Sequence, residues 1–514
     1  MSESGGRPLR FHALRGRAAG VIAALAVGAL VLAGCSTPTG AETSSITVAQ
    51  PMDLKSPDPV IDNSLYSTNI FRSVFDQLNE VMPDGSLAPR LATGWTASGD
   101  ARTWTFPLRR DSTFHDGTPV TAADVVFSFQ AVMGNPRSLN RIYTNNIENV
   151  AADRQGGVVF TLKKADAAFP RIAYYISIVP QQYYERVGPE GFADNPIGSG
   201  PYRFVSWTPG VSVELTSYPE YWGGAPSIRN VTVLPVADPE ARINGLLAGD
   251  IDLTSLTPAQ ISAVQGAAEP VEKQANQLVY LSGNAEAGGP LADQKLRNAI
   301  SMAIDRTTII DTVLYGYGAV ASGSAVAPDV EGYDGSLAPL DHDIAEATRL
   351  VAESNYRGTP IPLDYPTDGN VPMSNQLAQA VAAQLSRIGI RVELRGSDAA
   401  SFDLKWTSHE FRGLYLSQFS PSMMDASTTL NYLFGPTGNA LFSDPEIDAL
   451  IVQAGTTVDE RKRRAVMSEI WLLNQQRSWV INLDYTVSTY GKTIGLRWQP
   501  RADGHVDWRT ASWQ

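Results

Sequence analysis

Few residues in this chain combine the types and the spacing that catalysis or phosphate binding requires. Tyr490-Gly491-Lys492-Thr493 is similar to the end of a phosphate-binding loop, but the earlier glycine of such a loop would fall on Thr486. Gly316-Tyr317-Gly318 is similar to part of a dinucleotide fingerprint, yet it follows a predicted helix where that motif requires a strand. We therefore interpret both motifs as ordinary loops.

The histidines are also too dispersed to predict a metal site or a catalytic base. Beyond residue 34 they are His115, His342, His409 and His505. His409-Glu410 lacks the second histidine that a zinc hydrolase helix places four residues after the first. His115 precedes Asp116-Gly117, and a lone histidine beside such a turn is more often a hydrogen-bonded turn residue than a ligand. We expect no metal, no cofactor and no enzymatic activity, with a secreted hydrolase as the disfavoured alternative.

The elements that position these residues are clearest between Leu87 and Val132. Large apolar side chains alternate with small or polar ones over Thr103–Leu108, which predicts a strand with one buried face. Asp116-Gly117 predicts a turn, and Thr121 with Asp124 three residues later predicts a capping box that begins a helix. The stretch is therefore expected to fold as strand, turn and helix.

Helices and strands alternate along most of the remaining chain. Residues 202–215 predict a hairpin, and Gly198 and Gly200 just before it permit a close backbone approach or a positive φ. Apolar residues at helical spacing over 296–309 predict one helix. The pattern indicates α/β units around a mixed sheet. Three tryptophans of the final segment are expected to cover the amino-terminal part of the fold: Trp498, Trp508 and Trp513.

The amino terminus has the pattern of a secretory signal. Four arginines precede the uncharged run Ala18–Gly34, which is shorter than the roughly 20 residues that span a bilayer. The run ends in Leu32-Ala33-Gly34-Cys35, which resembles a bacterial lipobox, and Cys35 is the only cysteine. We expect lipidation at Cys35 and a flexible polar tether after it. The formal net charge of −13 argues against binding to nucleic acid.

Several motifs together resemble those of family 5 extracellular solute-binding proteins, the oligopeptide, dipeptide and nickel receptors of ABC importers. They include a leucine-alanine-x-x-tryptophan element at residues 91–95, the Phe114-His115-Asp116-Gly117 turn, residues 195–204 (NPIGSGPYRF) and residues 218–222 (YPEYW). The resemblance continues through Gly249-Asp250-Ile251-Asp252 to Arg297 and Asp305-Arg306. It implies a two-lobed α/β fold of the periplasmic-binding-protein class II type, with an extra subdomain.

The resemblance also implies how the chain divides. A signal peptide would occupy residues 1–34 and a lipidated tether residues 35–45. The first lobe would comprise residues 46–85, 191–280 and 485–514, the extra subdomain residues 86–190, and the second lobe residues 281–484. The chain would cross between lobes near residues 275–285 and 480–488, so a hinge is expected there.

Candidate ligand-binding residues follow from the same resemblance. In the family the segment after the first strand borders the ligand, which makes Gln50, Met52 and Asp53 candidates, although an ordinary strand-to-helix loop would use such residues equally well. In the subdomain, Tyr143 and Asn145 could reach the cleft between the lobes, or belong to an exposed polar loop.

The stretch Trp406–Phe434 is the most informative about the ligand. In peptide receptors of the family an aromatic residue here, matched by Phe419, is followed by an aspartate that pairs with the peptide's α-amino group. Ser422 occupies that aspartate's position, and a hydroxyl cannot neutralise an ammonium group. Asp425 is the nearest acid that could replace it. Met423 would add an adaptable apolar surface, and Trp406 is a further candidate.

These observations favour capture of a solute. The chain is expected to act as a monomeric extracytoplasmic receptor, lipid-anchored to a bacterial membrane, that delivers an oligopeptide or peptide-like ligand to an ABC permease and its ATPase. A metal chelate, of the nickel or metallophore kind, or another non-peptide solute is the alternative ligand. A sensor that uses the same fold without transport also remains open.

Overall fold

A computed structural model describes residues 44–285, 289–368 and 371–514, so the predicted signal peptide, Cys35 and most of the predicted tether lie outside the described residues. The strands are β1 (Ser45–Gln50), β2 (Asn79–Val81), β3 (Leu87–Pro89), β4 (Thr96–Ala97), β5 (Thr103–Phe106), β6 (Ile147–Ala152), β7 (Val158–Leu162), β8 (Tyr202–Thr208), β9 (Ser212–Ser217), β10 (Asn230–Pro235), β11 (Leu253–Leu256), β12 (Glu269–Gly283), β13 (Gly318–Val320), β14 (Ile361–Pro366), β15 (Val392–Ser397), β16 (Leu414–Phe419), β17 (Val480–Lys492), β18 (Leu496–Arg497) and β19 (Ser512–Trp513). The helices are α1 (Leu65–Val74), α2 (Ala122–Gly134), α3 (Arg141–Thr144), α4 (Phe169–Ala173), α5 (Gln181–Asp194), α6 (Pro239–Ala248), α7 (Ile261–Val264), α8 (Gln294–Ala303), α9 (Arg306–Thr312), α10 (Ile344–Glu353), α11 (Ser374–Ser386), α12 (Ala399–Thr407), α13 (Ala426–Thr429), α14 (Pro445–Thr456) and α15 (Glu460–Arg477).

One mixed sheet runs through both predicted lobes in the order β15-β14-β16-β12-β17-β11-β1-β10-β9-β8. Strands β11, β1, β10, β9 and β8 fall within the residues predicted for the first lobe, and β16, β14 and β15 within those predicted for the second. The long strands β12 and β17 pair with each other in both parts. They therefore carry the chain from one lobe into the other.

The pairing of β12 and β17 is interrupted where the two parts meet. Gln274 pairs with Val487 and Leu278 pairs with Tyr485, so three residues of β12 lie opposite the single residue Thr486. Such a bulge bends a strand and increases its twist. The irregularity falls within the segments where the hinge is expected, and that hinge stays a prediction.

The subdomain is built on a separate sheet of order β4-β5-β7-β6. Its helix α2 begins as expected, because the Thr121 backbone N–H donates to Asp124 Oδ2 at 2.9 Å and confirms the predicted capping box. The subdomain does not have a core of its own. Phe106 and Phe160 belong to the same apolar cluster as Ile46 and Phe71 of the first lobe. The first lobe and the subdomain are thus packed as one unit.

The predicted hairpin is confirmed as β8 and β9, and the glycines before it serve for close approach. A Cβ on Gly198 would lie 1.9 Å from the Val74 carbonyl oxygen, so only glycine fits there. The single helix expected over residues 296–309 is wrong. Helix α8 ends at Ala303, and Asp305 caps α9 by accepting a bond from the Thr308 N–H at 3.0 Å.

The final segment returns to the first lobe. Trp498 and Trp508 are buried in the core that the first lobe shares with the subdomain, and Trp513 packs against it, as predicted. None of the described helices combines the length and the apolar character that crossing a membrane requires.

Candidate functional site

Two of the predicted cleft residues meet where the subdomain contacts the second lobe. The Ser422 side chain acts on the Tyr143 hydroxyl, and burial raises the pKa of Tyr143. The Tyr143 ring stacks on Tyr175 with centroids 4.2 Å apart and an interplanar angle of 23°. Next to Ser422, the half-buried Met423 packs against the core of the first lobe and subdomain. This contact therefore joins residues that the sequence separates by almost 280 positions.

A cavity of about 700 Å³ lies beside this contact, between the subdomain and the second lobe. Its subdomain wall includes Asn146, Lys164 and Asp166, and its second-lobe wall includes Met423 and Tyr432. The remaining lining is mainly apolar or weakly polar, from Ala165, Ala168, Ser427, Thr428, Leu430, Asn431, Thr437, Gly438, Ile451, Val452, Ala454, Gly455 and Thr456. A volume of this size is typical of sites for small ligands.

The two walls of this cavity are linked by direct contacts across the lobes. The Ala167 N–H donates to the Gly455 carbonyl oxygen at 2.9 Å. Arg171 donates from Nη1 to the Met423 carbonyl oxygen at 3.4 Å, and its Nε lies 3.4 Å from Asp425 Oδ2. The shape of the cavity consequently depends on how the subdomain and the second lobe are arranged.

Asp425 is already neutralised within this junction. Its carboxylate is 1% exposed and accepts two bonds from the Arg463 guanidinium, at 2.5 and 2.9 Å. It also caps α13 by accepting the Ser427 N–H at 2.9 Å. Although burial opposes ionisation, Arg463, Arg171 and Ser427 together lower the pKa of Asp425 to about 2. This geometry corrects the expectation that Asp425 is an acid free to meet an ammonium group.

The other candidates of the stretch Trp406–Phe434 lie in the second lobe. Trp406 is 6% exposed in helix α12, packs between Phe402 and Tyr415, and donates from Nε1 to the Asn439 carbonyl oxygen at 3.3 Å. It is a core residue in this arrangement. Phe419 is half-buried and stacks on Tyr432 with centroids 4.9 Å apart, so it supports the cavity wall.

The three candidates after the first strand lie apart from this cavity. Gln50 is 4% exposed and lines a second cavity of about 280 Å³, which Tyr66 and Ser488 also line. Met52 is 48% exposed. Asp53 accepts bonds from Trp207 Nε1 at 3.1 Å and from the Gly210 N–H at 2.7 Å, so it holds the turn between β8 and β9.

The structure also places two further polar residues of the sequence analysis, Asn145 and His115. Asn145 is exposed, and its carbonyl oxygen accepts a bond from Lys163 Nζ at 2.7 Å. His115 is a turn residue, as expected: its Nε2 lies 2.9 Å from the Gly200 carbonyl oxygen, and burial lowers its pKa to about 4. Within the described residues no three histidine, cysteine or acidic side chains are grouped so that they could hold a metal ion.

Sequence reasoning missed Asp166 and Tyr432. Asp166 follows two lysines in the polar loop after β7, and such a loop has no periodicity from which burial could be predicted. Tyr432 resembles an ordinary apolar core residue of a short helix. Only the approach of the subdomain to the second lobe brings both into one cavity.

Comparisons with known proteins agree with this architecture. The sequence profile of "Bacterial extracellular solute-binding proteins, family 5 Middle" matches residues 86–440, so the chain belongs to this family. The glutathione-binding protein GsiB of Escherichia coli O1:K1 is 26% identical, over 93% of this chain and 95% of that protein. The nickel-binding periplasmic protein of Escherichia coli K12 is 27% identical, over 84% and 87%.

Solved structures show the same fold. The structure of HbpA2 from Haemophilus parasuis superposes with a TM-score of 0.83 over 91% of this chain and 100% of that one, at 22% identity. The two-lobed periplasmic-binding-protein fold predicted from the sequence is thereby confirmed. The contacts of individual site residues with a solute stay predictions.

Proposed function

We propose that this protein is the extracytoplasmic solute receptor of an ABC importer, and that it binds an oligopeptide or peptide-like solute between its lobes. The observation that carries the proposal is the 700 Å³ cavity at the junction of the subdomain and the second lobe, in a chain of this family. A relative whose name assigns it a tripeptide-sized ligand, glutathione, supports the peptide-like class. The receptor would release its solute to a permease driven by a separate ATPase.

The proposal assigns capture and release to the chain, without a chemical step. A ligand that binds one arrangement of the lobes more tightly shifts the population toward that arrangement. The interrupted pairing of β12 and β17 would absorb the movement, because the bulge lies where the two lobes meet. Lipidation at Cys35 would keep the receptor on the outer side of a membrane, close to the permease.

A metal chelate is the second candidate ligand, since a relative of similar identity is a nickel-binding protein. A chelate carries its own donor atoms, so it would require from the cavity only polar and aromatic contacts such as Asn431 and Tyr432. The two candidates differ in what they predict for a ligand screen.

The test is native mass spectrometry of the purified, processed protein, followed by a thermal-shift panel. We expect a retained peptide-like mass, and stabilisation by peptide pools. A ligand at 100 times its dissociation constant stabilises by about 2.7 kcal/mol, which such a panel detects. Stabilisation by nickel or iron chelates with none from any peptide pool would contradict the peptide ligand and favour the chelate.

A further inference from the structure

Asp166 is the acidic side chain that lines the 700 Å³ cavity. It is half-buried, and its carboxylate accepts a single bond, from the Ala168 N–H at 2.9 Å. Within the described residues it forms no ion pair with a lysine or an arginine. Lys164 lines the same cavity, but its side chain is exposed and forms no ion pair with Asp166.

The surroundings of Asp166 make its negative charge costly. Burial and the charge of Asp425 raise its pKa to about 6, and the opposing effect of Arg463 is smaller. Arg463 acts on Asp166 only through its charge: its Nη1 and Nη2 bond Asp425 and Ser427, and its Nε has no hydrogen-bond partner in the described structure. An ionised carboxylate removed from water without a partner is destabilising, so a cation that entered the cavity would relieve this cost.

The rest of the cavity would suit the uncharged part of such a solute. Met423 and Tyr432 offer a thioether and an aromatic ring, groups that adapt to apolar side chains and stack on them. Thr428 Oγ1 lies on the same lining and has no hydrogen-bond partner in the described structure. A free hydroxyl and an unpaired carboxylate on the lining of one cavity provide the donor and acceptor that a polar end group needs.

We propose that Asp166 is the residue that recognises a cationic group, such as a peptide's α-ammonium or another primary amine, when the solute occupies this cavity. The inference rests on the proposed receptor function, since it names the chemical group that the receptor would select. It replaces Asp425 in that role, because the Asp425 carboxylate is held by two arginines of the protein itself. Asp166 lies on the subdomain, so its ion pair with a solute held also by Met423 and Tyr432 would draw the two walls together.

The experiment compares two probes that differ only in this charge: a pool of synthetic tri- to pentapeptides and the same pool after N-acetylation. Isothermal titration with the processed wild-type protein should give at least tenfold tighter binding of the free amines, since a charge-assisted bond accounts for about that factor. Asp166→Asn keeps the shape and removes the charge. It should abolish the preference while leaving the affinity for acetylated peptides within about threefold.

Two controls separate this effect from a general perturbation. Asp250→Asn changes an exposed acid of the first lobe and should leave both affinities unchanged. A pH series gives an independent readout: the affinity of the wild-type protein for free amines should fall as the pH decreases through about 6, because Asp166 then takes up a proton. Acetylated peptides, and the Asp166→Asn variant, should show no such slope.

The outcomes distinguish the inference from the function on which it rests. Wild-type protein that binds both pools equally, or an Asp166→Asn variant that retains the preference, would overturn the role of Asp166 and leave the receptor function standing. Binding of neither pool would contradict the peptide ligand. Pentylamine and pentanol then serve as the probes. If pentylamine binds more tightly than pentanol, and Asp166→Asn removes that difference, the role of Asp166 is supported. If the two bind equally, or neither binds, that role is overturned.

Discussion

Two regions of this protein bury acidic side chains in opposite ways. In the first lobe, arginines and acids form a continuous paired cluster that comprises Arg72, Asp76, Glu80, Arg90, Arg501, Asp503, Asp507 and Arg509. At the junction with the second lobe, Asp166 faces a cavity, and no arginine or lysine of the described chain pairs with it. The guanidinium groups hold the pKa of Asp503 and Asp507 far below the usual range, whereas burial raises that of Asp166 to about 6.

The difference indicates which buried charges serve the fold and which are available to a solute. A paired cluster leaves no unsatisfied charge, and its members hold together segments that are distant in sequence, as Arg509 holds Glu80 at 3.0 Å. An unpaired buried carboxylate is stabilised when a cation binds beside it. Asp425 lies at the junction with the second lobe, but it is paired like the acids of the first-lobe cluster, because Arg463 and Arg171 contact its carboxylate oxygens.

The largest effect is expected from Asp507→Asn. The change leaves the largely buried Arg509 without the carboxylate that it contacts at 2.6 and 2.8 Å, with only Glu80 as its remaining acidic partner among the described residues, and breaking a buried pair costs about 3–5 kcal/mol. Urea denaturation at pH 7 measures this loss in the free energy of unfolding. Because the pKa of Asp507 is lowered by folding, its contribution is present above about pH 4 and lost as the pH falls, so the variant should lose less stability on acidification.

A matched control tests whether burial of the ion pair causes the stability loss expected for Asp507→Asn. Asp111 also pairs with an arginine, but its side chain is 67% exposed. Asp111→Asn should change the free energy of unfolding by less than about 1 kcal/mol. Equal losses in the two variants would contradict the structural role assigned to the buried cluster.

A smaller loss of stability, about 2–3 kcal/mol, is expected from Asp425→Asn. Arg463 would lose its carboxylate but keep the Ser427 hydroxyl at 2.8 Å, which moderates the cost. Binding should weaken equally for free and N-acetylated peptides, since this acid has no charge to offer a solute. A selective loss of free-amine binding in titrations of this variant would return the role of amine partner to Asp425.

Asp484→Asn is expected to increase the stability at high pH, by less than Asp425→Asn decreases it. Asp484 lies on β17 and is 1% exposed. Its two carboxylate oxygens have no hydrogen-bond partner among the described residues, and burial raises its pKa to about 7. Because folding raises this pKa, the stability of the native protein should fall as the pH rises from about 4 to 7. At pH 8 the variant should be more stable by about 1–2 kcal/mol, and at pH 5 that advantage should be lost. Thermal unfolding across this range would show parallel curves if the carboxyl does not titrate.

The smallest effect on the folded protein is expected from Cys35→Ser. If the lipobox-like segment directs lipidation, the variant should be released or left unprocessed while its affinity for solute stays unchanged. Membrane fractionation with a signal-cleavage assay measures this. A variant that is cleaved and still stays with the membrane would contradict the lipid anchor.

Much of the fold could be predicted because local signals and tertiary structure agree. The alternation at Thr103–Phe106 and the capping box at Thr121 determine their elements within a few residues. The helix over residues 296–309 was predicted too long because Asp305 is compatible with a helical apolar pattern, yet its side chain caps a new helix. Local periodicity contains no information on that choice.

The site was less predictable, because its residues acquire their roles only through contacts across the lobes. Of the residues expected near the ligand, Met423 lines the cavity and Ser422 directly precedes it in the chain, while their contact with a solute stays a prediction. The partners of Asp425 come from a helix 38 residues further along and from the subdomain, so its neutralisation was invisible in the sequence. For the same reason Asp166, unremarkable between a lysine pair and an apolar helix, could not be singled out.

We propose that the two lobes close on a solute about the crossing of β12 and β17. Small-angle scattering of the processed protein tests it most directly, with and without a saturating amount of the peptide pool or of the solute recovered by native mass spectrometry. Closure should give a smaller radius of gyration with solute than without it. An unchanged radius at demonstrated saturation would contradict closure.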